Sequence, residues 1–459
     1  MLISSSHDSD RKRRIFPGEE PGFEILDRIR YLAPGGYERG KREDSVKVQA
    51  STVKILVENH PPRRAEPTHM VQFDGLRAFA IAAVAFSHWV PENLQFGLPW
   101  GTGVQLFFVL SGFLITGILL DNKTDQDHPR LDGLFVTWRR FYIRRCLRIF
   151  PLFYLVLVLA LIFDLKPIRD TWPWHFTYLS NVFYFRMGKG YSDYFLHFWS
   201  LAVEEQFYLV WPFLVLLLPT RLLRWPLLAL ILVAPVFRIA VNGVAPYHPA
   251  EARYLTPASL DALGIGGLLA FLVRRDHPKP GRSLALSCLF VGLPGAVAPA
   301  LMRHAGVTSS VANSVVDSIG HMCLVLFYGW VVWTAAGGFP GIIGKMLSWG
   351  PIVYLGKISY GLYVFHVLTI PLLPKVTRLF HVPYSIEMSL AFRVAVQTLL
   401  TIGLAMVSWH VFEKPLNDLK RYFPYGSRFR GAQVIIGSNG PRADAALLPS
   451  GSTEVSPPR

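Results

Sequence analysis

Long apolar runs separated by short polar breaks follow one another from Phe73 to Val411, with no sign of the period-2 alternation of strands. A helix needs about 20 apolar residues to cross about 30 Å of hydrocarbon, and the runs approach that length. They predict spans near 73–91, 103–120, 149–163, 197–218, 225–241, 258–273, 283–301, 313–335, 351–371 and 387–411. The expected fold class is therefore all-α, a polytopic membrane bundle of about ten transmembrane helices. The stretch 172–187 is aromatic and too short to cross, so it reads as a surface or re-entrant segment on the non-cytosolic side.

Composition agrees with this pattern. Of 459 residues 51% are hydrophobic and only 17% charged, which excludes a soluble globule of ordinary make-up and a disordered chain. Cys146, Cys288 and Cys323 lie far apart without CxxC spacing, so neither a disulfide framework nor a metal site is expected. The 46 Lys and Arg exceed the 31 Asp and Glu, but no groove-reading element accompanies the excess, and no nucleic-acid partner is expected.

The surplus of positive charge instead predicts orientation. Arg139, Arg140, Arg144, Arg145, Arg148, Arg221, Arg224, Arg274, Arg275, Lys279 and Arg282 fall on one side of the ten spans, with Lys414, Lys420 and Arg421 in the tail. The positive-inside rule then puts both termini in the cytosol of an integral cell-membrane protein in contact with anionic lipid. Residues 1–70 are rich in charge, Pro, Gly and Ser and lack the apolar core of a secretory signal. They are expected to form a largely disordered cytosolic extension to the membrane domain, 71–424, while 425–459 are expected to form a flexible tail.

Ionisable groups inside spans are costly and mark candidate chemistry. Arg77 and His88 are eleven residues apart, three helical turns plus about 20°, and so share a face at a separation of about 16 Å. A cation at one end and an imidazole deep inside suit a long anionic co-substrate; a snorkelling arginine and a capping histidine account for the pair as well. Ser111-Gly112 interrupts the second span and permits close helix packing or a local break. The run WRRFYIRRCLRIF places Arg145 and Arg148 on one helical face, where guanidinium forks match phosphate oxygens; anionic lipid and topology serve equally as explanations.

HFWSLAVEEQFYLVWP carries Glu204 and Glu205 into the fourth span, with His197 seven residues before Glu204. A carboxylate there orients an imidazole or neutralises an arginine. Ser359 and His366 share a face in the ninth span, with Tyr360 beside them, and a structural histidine is the ordinary reading of that pattern. Arg238, Asp261 and Asp317 are expected to pair among themselves, and Glu413-Lys414-Pro415 reads as a helix stop.

Taken in order, DGLRA with its Arg and His, FFVLSGFLI, RRCLRIFPLFY, HFWSLAVEEQFYLVWP, LDALGIGGLLA, ISYGLYVFH and FEKP resemble the acyltransferase-3 family of integral membrane O-acyltransferases over 71–424. The resemblance implies a ten-helix bundle that moves an acyl group from acyl-coenzyme A, acetyl-coenzyme A first, to a hydroxyl of a glycan or related acceptor. The family's activity-linked positions fall on Arg77, His88, Arg145, Arg148, Glu204 and Glu205. The arginines are then expected to hold the coenzyme phosphates, His88 to act as general base, and Glu204 or Glu205 to orient it. His197, Ser359, Tyr360 and His366 are left as candidates to contact the acceptor. Ser259 departs from the arginine that many relatives place two residues before the counterpart of Asp261. Some relatives carry a fused extracytoplasmic esterase-like domain; the acceptor is expected to be presented here without one, or by a partner protein outside the cell. The competing expectation is a transporter or flippase, in which the same polar groups line a path and no bond is made.

Overall fold

The computed structural model describes residues 70–95, 99–123, 131–165, 167–188, 193–244, 250–274, 286–298, 310–387 and 389–425. The expected N-terminal extension up to residue 69 and the tail beyond residue 425 lie outside that set, as do several of the loop cations used to argue orientation. Every regular element among the described residues is helical.

In chain order the helices are α1 (Val71–Trp89), α2 (Gly103–Asp121), α3 (Leu131–Ile162), α4 (Ile168–Phe176), α5 (Ser180–Met187), α6 (Phe198–Leu217), α7 (Arg224–Val244) and α8 (Leu260–Arg274). Then come α9 (Leu286–Ala298), α10 (Ser310–Gly337), α11 (Gly341–Leu347), α12 (Gly350–Lys357), α13 (Ser359–Phe365), α14 (Leu373–Leu379) and α16 (Leu390–Ser408), the last preceded by the single turn α15 (Tyr384–Glu387). A π-turn, Trp409–Glu413, leads from α16 into α17 (Lys414–Asp418).

Among the described residues, seven helical segments are long and apolar enough to cross a membrane: Trp100–Asp121, Gly133–Ile162, Phe198–Leu217, Thr220–Val241, Thr256–Arg274, Val315–Gly337 and Leu390–Tyr422. Three of the ten expected spans take other forms. α1 has the length of a span, but Gln72, Asp74, Arg77, Ser87 and His88 dilute its apolar content. α9 is described only as a short apolar helix. The ninth is broken: α12 stops at Lys357, α13 runs from Ser359 to Phe365, and the chain then turns before α14. The third begins far earlier than the apolar run suggested, because the arginine-rich segment continues the helix in a single 32-residue rod that carries Pro151 inside it.

Lipid-facing and interior surfaces separate cleanly. Leu209, Val210, Phe213 and Leu217 of α6, Leu232 and Val236 of α7, and Leu399 and Val407 of α16 are exposed large apolar side chains, as hydrocarbon solvent favours. α2 and α8 are the most enclosed helices. They cross at glycine: a Cβ on Gly112 would lie 2.1 Å from the Leu263 carbonyl oxygen, and one on Gly266 would lie 2.1 Å from that of Val109. Without a hydrophobic force between helices in lipid, such backbone-to-backbone approach is what small residues supply.

Charges buried in this core are paired. Arg238 binds Asp261 at 2.8 Å and donates to the Ala258 carbonyl at 2.6 Å, as its sequence setting suggested. Arg274 clasps Asp121 with two contacts of 2.7 Å, tying the far ends of α8 and α2. The aromatic 172–187 stretch forms α4 and α5, which sit against α3 and α6. There His175 is fully buried among Phe183, Tyr184, Phe195 and Phe198, and burial holds its imidazole down to about 4, so it packs as a neutral ring.

Substituting Gly266 by Val forces α2 and α8 apart, an overpacking cost of about 1–3 kcal/mol or more. Thermal unfolding of the purified protein in detergent should show a clear fall in Tm for G266V. A Cβ added at Gly403 on α16 would meet nothing within 4 Å. G403A should therefore match or slightly exceed the parent.

Candidate functional site

Two cavities lie along α1, one at each end of the Arg77–His88 face. The first, about 100 Å³, is lined by Arg77, Arg145, Arg148, Ser111, Glu204, Tyr208, Ser359 and Tyr360, with Phe107, Phe108, Leu110 and Ile149 as apolar walls. The second is larger, about 730 Å³, and is lined by His88, His197, His321, Glu92, Gln95, Gln105, Arg253 and the aromatic faces of Trp100, Trp199 and Tyr254. Val104 and Tyr363 belong to both walls and form the partition between them.

The arginine cavity is built where α1, α2, α3, α6 and α13 converge. Gly75 lets α1 press on α11, since a Cβ there would lie 2.2 Å from the Leu347 carbonyl oxygen. That contact fixes the helix carrying Arg77, whose guanidinium is held by buried Asp74 at 2.9 Å. Arg145 lies over the Tyr208 ring, 5.4 Å from its centroid. Among the described residues no carboxylate stands within ion-pair distance of Arg145 or Arg148, although Glu204 lines the same cavity.

Glu204 enters the same cavity. Its Oε1 accepts from Ser111 Oγ at 2.8 Å, and Ser111 Oγ lies 2.5 Å from the Tyr208 hydroxyl. Of the two uses raised for Ser111-Gly112, close packing is the one seen: Gly112 packs against α8, α2 runs through the pair unbroken, and Ser111 joins a polar network instead. Tyr360 donates to the Ile149 carbonyl at 2.7 Å, locking α13 to α3. Glu205 lines neither cavity, and its Oε1 has no hydrogen-bond partner. Gln206 is structural: it donates to the Tyr178 carbonyl at 2.8 Å and to Asn181 at 3.0 Å.

The histidine cavity differs from expectation in what holds His88. Neither glutamate reaches it. His88 Nδ1 lies 3.0 Å from His366 Nε2, with the two rings within 7° of parallel, and His366 Nδ1 lies 2.6 Å from the Tyr363 carbonyl oxygen. The i, i+7 spacing of His197 and Glu204 does not join them either; His197 Nε2 lies 3.1 Å from the Val364 carbonyl instead. His88 is exposed to the cavity, whereas His366 is fully buried behind it and lines neither cavity. His366 therefore cannot touch an acceptor as the sequence pattern suggested, because the ring of His88 stands in front of it. Ser359 and Tyr360 also leave the acceptor role, since the break at Ile358 turns them to the arginine cavity.

Two contributors escaped the sequence reading. His321 of α10 faces the histidine cavity with Nε2 unpartnered, and its signal was only a histidine in an apolar run. Glu413 had been read as part of a helix stop. It is buried in the π-turn, accepts from Ser408 at 2.8 Å, and sits beside Gly361 of α13. A π-turn often marks a functional position, but nothing in the residue order announces one.

A family model described as an acyltransferase domain, that of acyltransferase-3, matches residues 70–410. Similar proteins include the peptidoglycan O-acetyltransferase OatA of Listeria monocytogenes, 27% identical over 81% of this chain and 60% of that protein. The putative peptidoglycan O-acetyltransferase YrhL of Bacillus subtilis is 27% identical over 75% of this chain and 54% of its own length. The O-acetyltransferase OatA of Staphylococcus aureus is 27% identical over 76% and 57%. The chain thus spans a little over half the length of these relatives. No solved structure matches. With its helical core, its membrane-length segments and a match over most of its length, this chain belongs to the acyltransferase-3 family of membrane proteins.

Proposed function

We propose that the protein is an O-acyltransferase that moves an acyl group, acetyl first, from acyl-coenzyme A to a hydroxyl of a glycan. The observation that carries this reading is the pair of cavities spaced along α1, one gathering Arg77, Arg145 and Arg148 and the other exposing His88. Three guanidiniums clustered beside an apolar cleft suit phosphates joined to a slender arm, which is the form of an acyl-coenzyme A. In this reading both termini lie on the cytosolic side, where that donor is made, and the histidine cavity faces outward.

In this mechanism Arg77, Arg145 and Arg148 hold the donor phosphates, and Glu204, fixed by Ser111 and Tyr208, offsets part of their charge. The arm passes Val104 and Tyr363 so that its acyl carbon comes to His88. His88 Nε2 takes the proton of the acceptor hydroxyl as that oxygen bonds to the acyl carbon. The carbon–sulfur bond breaks, and the proton passes from His88 to the departing thiolate. The products are an ester and a free thiol, and His88 returns to its neutral form. Direct transfer is favoured because Ser111, the hydroxyl bonded to Glu204 in the arginine cavity, stands on the far side of the partition from His88.

The acceptor is assigned to carbohydrate on two grounds. Two of the relatives are named for peptidoglycan, and the histidine cavity offers the flat faces of Trp100, Trp199 and Tyr254 with Gln95, Gln105 and Arg253 as polar contacts. Aromatic faces pack against the C–H side of a sugar while amides bind its hydroxyls.

Three variants test the assignment in nanodiscs with labelled acetyl-coenzyme A and a soluble glycan acceptor. H88A should lower transfer by about 10²–10⁴-fold while leaving donor binding intact. R145A/R148A should weaken donor binding about tenfold or more, with loss of its salt dependence. V104W should block the partition, abolishing transfer while donor phosphates still bind. Transfer retained in H88A ends the general-base assignment, and absence of any donor binding by the parent protein favours the transporter reading.

A further inference from the structure

His366 is buried, lines neither cavity, and makes two ring contacts whose directions are dictated by chemistry. A backbone carbonyl can only accept. The 2.6 Å contact between His366 Nδ1 and the Tyr363 oxygen therefore places a proton on Nδ1. In the neutral ring Nε2 is then a lone pair, and the 3.0 Å contact from His88 Nδ1 must be a donated N–H. His88 is thereby left with its lone pair on Nε2, the nitrogen that remains free on the cavity side. We infer that His366 is a positioning residue that fixes the reactive tautomer of His88 through a hydrogen-bonded relay ending on the Tyr363 carbonyl. This rests on the proposed role of His88 as general base.

The scaffold around the relay is held from several directions. Trp89 Nε1, next to His88, donates to the His366 carbonyl at 2.9 Å, which fastens the end of α1 to the segment after α13. Thr369 Oγ1 donates to the same carbonyl at 2.9 Å. Tyr363 is itself anchored, its hydroxyl donating to the His197 carbonyl at 2.7 Å. The anchor of the relay is thus one of the two residues that part the cavities. A neutral imidazole in the orienting place differs from the carboxylate usual beside a general base: it sets direction and tautomer without adding negative charge to a site set in hydrocarbon.

The test uses the full-length protein in nanodiscs. H366A should lower kcat for acyl transfer by about 10²-fold or more with the KM for the donor and the Tm little changed. H366Q should recover activity to within about tenfold of the parent, because its carbonyl accepts from His88 Nδ1–H while its amide donates to Tyr363. H88A and H88A/H366A should be equally inactive. Nitrogen-15 NMR of labelled histidine, assigned with H88A, should show His88 protonated at Nδ1 in the parent and shifted toward Nε2 in H366A.

A kcat for H366A within about threefold of the parent overturns the inference, as does an H366Q variant no better than H366A. The tautomer measurement needs no turnover. His88 found protonated at Nε2 in the parent protein removes the relay whatever H88A does, whereas transfer retained in H88A removes the base assignment alone.

Discussion

A polar side chain carried into hydrocarbon must find its partners within the protein, and that constraint organises this bundle. Asp74 meets Arg77, Asp121 meets Arg274, Asp261 meets Arg238, and Glu204 meets Ser111. Each pairing ties two elements or stiffens one, so the polar groups fix the relative positions of the helices as well as satisfying themselves. Against that background of pairing, Arg145 and Arg148 differ in making no direct ion pair among the described residues, with Glu204 of the same cavity bonded to Ser111 instead.

The same economy shapes the helix contacts. In water, α2 and α8 would be driven together by apolar burial, but in lipid they gain only what close contact provides. Gly112 and Gly266 remove the side chains that would keep the two backbones apart, and the serine next to Gly112 is delivered into the polar network as a consequence. Packing and chemistry at this crossing therefore depend on adjacent residues of one motif, and a change in either disturbs both.

Much of the architecture was legible in the residue order, because long apolar runs and buried charges obey rules that do not need the third dimension. The shared face of Arg77 and His88, the Arg145–Arg148 pair and the Arg238–Asp261 bond follow from helical spacing and charge. Other features were out of reach. The break at Ile358 converts one expected span into α12 and α13. Ser359 and His366 both follow it and reach different surroundings because seven residues of helix rise put about 10 Å between them along the axis. Spacing also suggested a glutamate as the partner of an imidazole, whereas the partner of His88 comes from 278 positions away. Local periodicity can say which residues share a helix face; it cannot say which face of which other helix will arrive opposite.

The partition formed by Val104 and Tyr363 bears on the membrane as well as on the reaction. A passage joining two aqueous compartments would leak ions, and a potential of 100 mV is worth about 2.3 kcal/mol for each elementary charge that crosses. Val104 and Tyr363, the latter anchored by its hydroxyl to the His197 carbonyl, are shared by the walls of both cavities and put apolar surface where the two meet. Under the proposed acyl transfer, what has to pass this point is a thin, neutral, flexible chain able to shed its water at little cost. On the proposed reaction, the two residues that separate the chambers are the place where passage of a group and exclusion of ions have to be reconciled.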